Sequence, residues 1–274
     1  MVGEPQAGAA MLRVTLLGTG GSGGVPQIGG AGEGGEWGDC DPCEPRNRRS
    51  RTSALVQGPD GRRLLIDAGP DLRAQLLAAR AAKLDAVLFT HAHADHILGI
   101  DDLRQVNRTT GRALDAFGTR TTLDKLDDRF AYAFIGATPP FFYRPALEPR
   151  RLAYGDRFEA AGMQLEVFRQ DHGVMDTLGV RTGGFAYSTD VVMLPDESLP
   201  ALQGLDTWVV GCFQRRPHKV HAGLDQVLEW VARLRPRRTV LTHMGPSMDF
   251  AALTRDLPPG IEPGFDGMVL KVPA

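Results

Sequence analysis

Cysteine is scarce in this chain, with three in 274 residues. An odd count of that size builds no disulfide scaffold, so a reducing, cytoplasmic compartment is expected. Long apolar runs are missing as well. No stretch comes near the roughly 20 residues a helix needs to cross a bilayer, which sets a membrane partner aside. The opening MVGEPQAGAA has neither the basic start nor the apolar centre of a secretory signal and reads as a disordered leader over residues 1–10. Nor is there a surplus of charge of either sign. Lys and Arg number 31 against 33 Asp and Glu, a net charge of -2. Nothing global then draws the chain to nucleic acid, and no stable nucleic-acid binding is expected unless a local patch supplies it.

What is present suits one large domain over residues 11–274, 42% of the chain being hydrophobic. Short apolar runs alternate with Gly/Pro turns. Strands are expected at Leu12–Leu17, at Thr52–Gln57 and Arg63–Asp67 as a hairpin turning at GPDG, and at Asp85–Phe89. The second half repeats the rhythm with strands at Gln164–Arg169, Gly179–Thr189, Asp206–Gly211 and Arg238–Thr242. Helices are expected at Asp71–Ala82, Leu224–Leu234 and around Asp249–Leu257. The aromatic, proline-punctuated stretch inside Gly118–Leu147 reads as a helix and a loop over the body, and Phe130–Tyr143 offers a face for a homodimer.

The densest chemistry is His91, His93, Asp95 and His96, an H-x-H-x-D-H cluster directly after the buried strand Asp85–Phe89. Side chains two apart on an extended exit point the same way, so His91 and His93 share one target. A turn into a helix near Asp95 would aim Asp95 and His96 at a second target close by. Imidazole with carboxylate suits zinc or manganese, and iron is served by the same ligands. Six residues do not close a pair of sites. His172, Asp190 and His243 each stand where an expected strand ends, and strand ends at one sheet edge converge. Asp190 has two oxygens and can bridge two cations. Such a pair ionises a shared water and neutralises charge on the reacting group. Asp67, closing LLIDAG, could accept the outer N–H of a liganding histidine or simply form a turn.

This pattern resembles the metallo-β-lactamase superfamily. GTGGSGGVP, NRRSRTS, LLIDAGPDLR and THAHADHILGIDDLR are more narrowly similar to its PhnP-like cyclic phosphodiesterases, close to tRNase Z. The resemblance covers about Leu12 to Val272 and implies an α/β fold, a four-layer αββα sandwich of two mixed sheets with helices outside. It implies two divalent metal ions, one on His91, His93 and His172, the other on Asp95, His96 and His243, with Asp190 between. It also implies a hydrolase for a small phosphodiester substrate, with Asp95 and His221 as the catalytic candidates and His218 as the competitor of His221. Arg215 and Arg216 beside them, and Arg48 and Arg49 in a second basic run with Arg46 and Arg51, are candidates for phosphate. The family's cysteine loop with a histidine after the last metal ligand is only half present. Cys40 and Cys43 stand in C-x-x-C spacing, but Met-Gly-Pro-Ser-Met follows His243, and two thiolates do not complete a tetrahedral zinc site. No structural zinc is expected. The alternatives are tRNA 3′ processing, thioester or lactone hydrolysis, and a non-catalytic protein that retains metal.

Overall fold

A computed structural model describes residues 10–30, 34–136 and 144–274. The expected leader, apart from Ala10, lies outside the described residues, as does the 137–143 part of the aromatic stretch read as a subunit contact. Two sheets of seven strands stack face to face. The first holds β1 (Met11–Gly18), β2 (Ser53–Gln57), β3 (Arg63–Ile66), β4 (Ala86–Leu88), β5 (Leu114–Thr119) and β6 (Leu147–Leu152) in sequence order. The second runs from β7 (Arg157–Ala160) through β8 (Met163–Asp171), β9 (Asp176–Thr182), β10 (Phe185–Ser188), β11 (Thr207–Gly211) and β12 (Arg238–Thr242) to β13 (Ile261–Pro263). The last strand, β14 (Val269–Pro273), returns to pair with β1 at the edge of the first sheet.

Side-chain alternation explains the layers. On β3, Leu64 and Ile66 enter the core between the sheets while Leu65 faces outward. On β11, Val209 points inward while Trp208 and Val210 point out. Both faces of each sheet are apolar, so each must be covered twice. The outer face of the first sheet carries α1 (Leu72–Ala78), α2 (Ala94–Ile97), α3 (Leu103–Thr110) and α4 (Arg120–Phe134). The outer face of the second carries α5 (Leu224–Leu234) and α6 (Phe250–Asp256). The result is the expected αββα sandwich.

The helix ends follow local chemistry. The Thr119 side chain accepts from Thr122 N at the start of α4, and Asp249 from Ala252 N at the start of α6. Gly111, with φ of 69°, stops α3. Two expectations need correction. The run Gly179–Thr189 is not one strand, because Gly183 and Gly184 turn the chain and β9 pairs antiparallel with β10. The helix expected to reach Ala82 ends at Ala78, where the chain turns through Arg80 at φ of 52°. No helix among the described residues is long and apolar enough to cross a membrane.

Strand direction places the chemistry. β3, β4, β5 and β6 run parallel, as do β10, β11, β12 and β13. Their carboxyl ends therefore open on one rim in each sheet, the usual place for a ligand crevice. Gly69 lets the rim close up, since a Cβ there would overlap the Asp95 carbonyl oxygen.

Candidate metal centre

The rim gathers every histidine of the chain. His91, His93, His96, His172, His218, His221 and His243 form one continuous chain of ring contacts. The donor atoms of His91, His93, His172 and Asp190 lie within 4.8 Å of one another, as do those of Asp95, His96 and His243. A third set joins Asp190, His221 and His243.

Two of these residues, together with Asp67 behind them, sit in backbone that side chains seldom adopt. Asp67, Asp190 and His243 have φ of 62°, 47° and 54°. Each follows the end of its strand by one or two residues. The left-handed turn swings the side chain across the rim instead of letting it continue along the strand, a conformation that costs on the order of 1–3 kcal/mol per residue and is held by the packed sheets.

Asp190 lies in the middle. Its Oδ1 is 3.9 Å from His91 Nε2, 3.7 Å from His172 Nε2 and 3.7 Å from His221 Nδ1. Its Oδ2 is 3.1 Å from His96 Nε2 and 3.2 Å from His243 Nδ1, and accepts from the Thr189 hydroxyl at 2.7 Å. One oxygen thus faces one histidine set and the second faces the other.

Behind the rings, proton positions follow from the partners. Asp67 is fully buried and takes three donors: Thr90 N at 2.8 Å, the Thr90 hydroxyl at 2.8 Å and His96 Nδ1 at 2.7 Å. With its proton given to Asp67, the Thr90 oxygen accepts from His91 Nδ1 at 3.0 Å. Likewise the Thr52 hydroxyl donates to the Gly20 carbonyl at 2.6 Å and its oxygen accepts from His243 Nδ1 at 3.1 Å. His172 Nδ1 donates to the Val220 carbonyl at 2.6 Å. With the outer nitrogens donating, the lone pairs that a cation would take are those of Nε2 in His91, His96, His172 and His243 once each ring is neutral.

Those lone pairs are incompletely matched within the chain. His96 Nε2 and His243 Nε2 are buried without a hydrogen-bond partner, although Asp190 and Asp95 oxygens stand 3.1 and 3.3 Å from the first. A buried polar atom left in this state costs roughly 1–3 kcal/mol. Divalent cations of the zinc, manganese and iron class take imidazole and carboxylate donors, so this set fits them. Burial pulls the His91 ring well toward the neutral form and the His243 ring in the same direction, with neighbouring rings adding to it and Asp190 opposing it. His96 departs in the other direction, burial being outweighed by Asp190, Asp67 and Asp95 together.

The remaining candidates divide. His221 stands at the cluster, its ring centroid 4.8 Å from those of His172 and His243, with Phe213 at 5.0 Å. His218 stacks behind it at 5.3 Å. Arg49 is corrected: it is buried, donating to the Met248 carbonyl at 2.6 Å, Asn47 Oδ1 at 3.3 Å and Cys40 Sγ at 3.6 Å, which makes it a fastening for the loop. Arg215 is paired with Asp256 at 2.9 Å. Arg216 is exposed. Arg48 lies over Trp37 and, with Arg46, Arg49 and Arg51, lines a separate groove of about 990 Å³ that contains no histidine. Cys40 is buried and Cys43 exposed. Asp101 accepts from Tyr132 at 2.7 Å. Residue patterns alone did not single out Thr52, Thr90, Thr189, Phe213 or Arg129.

A family profile described as "Beta-lactamase superfamily domain" matches residues 62–244. A solved structure titled a new diphosphatase from the PhnP family is 33% identical, covers 95% of this chain and 97% of that one, and superposes with a TM-score of 0.85. An octanoyltransferase of Porphyromonas gingivalis is 32% identical over 222 residues, 79% of this chain but 44% of that protein. A ribonuclease Z of Bradyrhizobium diazoefficiens is 32% identical over 130 residues, 46% of this chain and 42% of its own length. The chain spans less than half the length of those two relatives.

Proposed function

We propose, for a chain that belongs to the metallo-β-lactamase superfamily and to its PhnP/tRNase Z-like branch, a phosphodiesterase acting on a small cyclic phosphate or nucleotide-like diester. Superfamily membership makes it a metal-dependent hydrolase fold; the diester is the further step. The observation that carries the metal reading is the convergence of six donor side chains around Asp190, with two buried imidazole nitrogens left unmatched. His91, His93 and His172 would hold one divalent ion, Asp95, His96 and His243 the other, and Asp190 both. When bound, such ions make an ionised water available near neutral pH and neutralise charge on phosphoryl oxygens. The names of two relatives, a diphosphatase and a ribonuclease, support a phosphate ester or anhydride as the group attacked.

The chain's own residues do the rest. Asp67, Thr90, Thr52 and the Val220 carbonyl hold the liganding rings in one tautomer. His221 stands on the same side of Asp190 as His91 and His172, through Oδ1, where a leaving oxygen can be met. Burial, followed by the nearby His243, pushes its ring down to about 3, so it is neutral across the working range and offers an N–H as hydrogen-bond donor. His221→Ala is therefore expected to lower kcat by about 10²-fold. The pH profiles of variant and parent should remain parallel from about pH 6 to 9, because a group titrating near 3 changes no charge there. A wild-type limb in that range that vanishes in the variant would contradict this role.

Purified protein loaded with zinc or manganese is expected to hydrolyse bis(p-nitrophenyl) phosphate, and to lose that turnover on chelation and regain it on re-addition of the ion. Inert aryl phosphodiesters together with cleavage of a thioester or lactone would put the substrate in another class.

A further inference from the structure

One ring in the cluster lacks an anchor. His91, His96, His172 and His243 each have an outer nitrogen fixed by a hydroxyl, a carboxylate or a backbone carbonyl. Among the described residues the His93 ring hydrogen-bonds only with His91, Nδ1 to Nε2 at 3.0 Å. It is also the least buried of the rings in its set. Its placement therefore depends on the backbone that carries it.

That backbone is gripped from outside. Arg129 Nη1 donates to the carbonyl of Ala92, the residue between His91 and His93, at 2.7 Å. Ala92 is buried, and a buried carbonyl needs a donor. The Ala92–His93 peptide plane sets whether His93 stays on the same side as His91. Three residues on, Tyr132 donates to Asp101 Oδ1 at 2.7 Å. The two contacts bracket the whole segment that bears His93, Asp95 and His96. Between them α4 loses helical geometry at Phe130, with φ of -131° and ψ of 39°. Leu123 and Leu126 bury the earlier part of the helix, so the grip starts from a fixed base.

We propose that Arg129 is a positioning residue which, through the Ala92 carbonyl, sets the His93 ring and so the affinity of the His91/His93/His172/Asp190 position for a divalent cation. The inference rests on the metal reading above. Arg129 is exposed, and its removal leaves the core intact.

The test uses zinc and cobalt(II) as probes on the full chain, with affinities from competition against a chromophoric chelator and the cobalt absorption spectrum as the record of ligand geometry. Arg129→Ala is expected to weaken one of two binding events by about 10- to 100-fold, the range seen when a support behind a ligand is removed, and to alter that ion's spectrum. The other event should stay within about threefold. Arg129→Lys, still able to donate to a carbonyl, should recover most of the loss. Wild-type affinities and spectrum in Arg129→Ala overturn the proposal, and so does equal weakening of both events. A wild-type protein that takes up no divalent ion fails one step earlier, and that failure belongs to the metal reading.

Discussion

Replacing Asp190 by alanine is expected to lower hydrolytic turnover by on the order of 10³-fold or more and to leave the protein with fewer than two tightly held cations. The magnitude follows from the several kcal/mol of charge stabilisation that metal ions contribute to such transition states, at about 1.4 kcal/mol per factor of ten. The direction follows from position. Asp190 Oδ1 faces His91 and His172, while Oδ2 faces His96 and His243. Among the described residues no other carboxylate joins both sets, since Asp95 groups with His96 and His243 alone. Without Asp190, two cations held by imidazoles would repel each other with only Asp95 to offset the charge. Wild-type protein should gain about 2.7 kcal/mol of stability at an ion concentration a hundredfold above Kd, and the variant should lose most of that gain. Elemental analysis, thermal unfolding with and without zinc, and kcat/KM on an aryl phosphodiester measure all three. Two retained ions with turnover within tenfold of the parent would remove Asp190 from the centre of the chemistry.

The same expectation shows where pattern reading succeeds. The H-x-H-x-D-H cluster is dense enough to point to a cation from residue types alone. His172, Asp190 and His243 could be paired with it because strands leave a sheet at a common rim, and the structure brings all of them together. What failed to show was backbone conformation. Nothing in the letters marks Asp67, Asp190 and His243 as left-handed, because the adjoining strands impose that geometry. The hydroxyl relays through Thr52 and Thr90 were equally silent, as threonine in a β-rich chain ordinarily signals strand propensity. Arg129 is hidden for a stronger reason: it reaches a backbone carbonyl 37 residues away, and a carbonyl has no residue identity to read.

Charge runs misled in a different way. Arg46, Arg48, Arg49 and Arg51 read as one basic cluster, yet they meet four different environments. Arg46 pairs with Glu44, Arg51 with Asp71, Arg48 lies over Trp37, and Arg49 is buried. Composition reports that cations are present and says nothing about which already have partners. The Gly183–Gly184 turn was overlooked in the run Gly179–Thr189, although two glycines between β-rich runs are a hairpin signal.

Asn47→Ala is expected to cost about 3–4 kcal/mol of unfolding free energy, a large effect for one polar side chain of the Cys40–Arg51 loop. Asn47 is fully buried and its amide is fully used. Nδ2 donates to the Asp41 carbonyl at 3.1 Å and to Asp249 Oδ2 at 2.6 Å. Oδ1 accepts from Phe250 N at 2.8 Å and from Arg49 Nη2 at 3.3 Å. Alanine would strand the Phe250 N–H and leave the buried Arg49 charge with one fewer acceptor, each roughly a 1–3 kcal/mol penalty. Asp249 responds as well. Burial raises its pKa, but the hydrogen bonds from Ala252, Asn47 and Asp41 and the Arg49 charge together hold it below the ordinary carboxylate range. A depressed folded-state value contributes stability above the unfolded pKa near 4 and loses it as pH falls through the lower folded value. With the Asn47 donor gone that contribution shrinks, and the acid-unfolding midpoint should move to higher pH. The same contacts hold the loop against Asp249 and Phe250, in the segment that follows His243. The variant should therefore also bind zinc more weakly, and excess zinc should not restore its urea midpoint to that of the zinc-loaded parent. A loss under about 1 kcal/mol would mean the loop is fastened by something other than these hydrogen bonds.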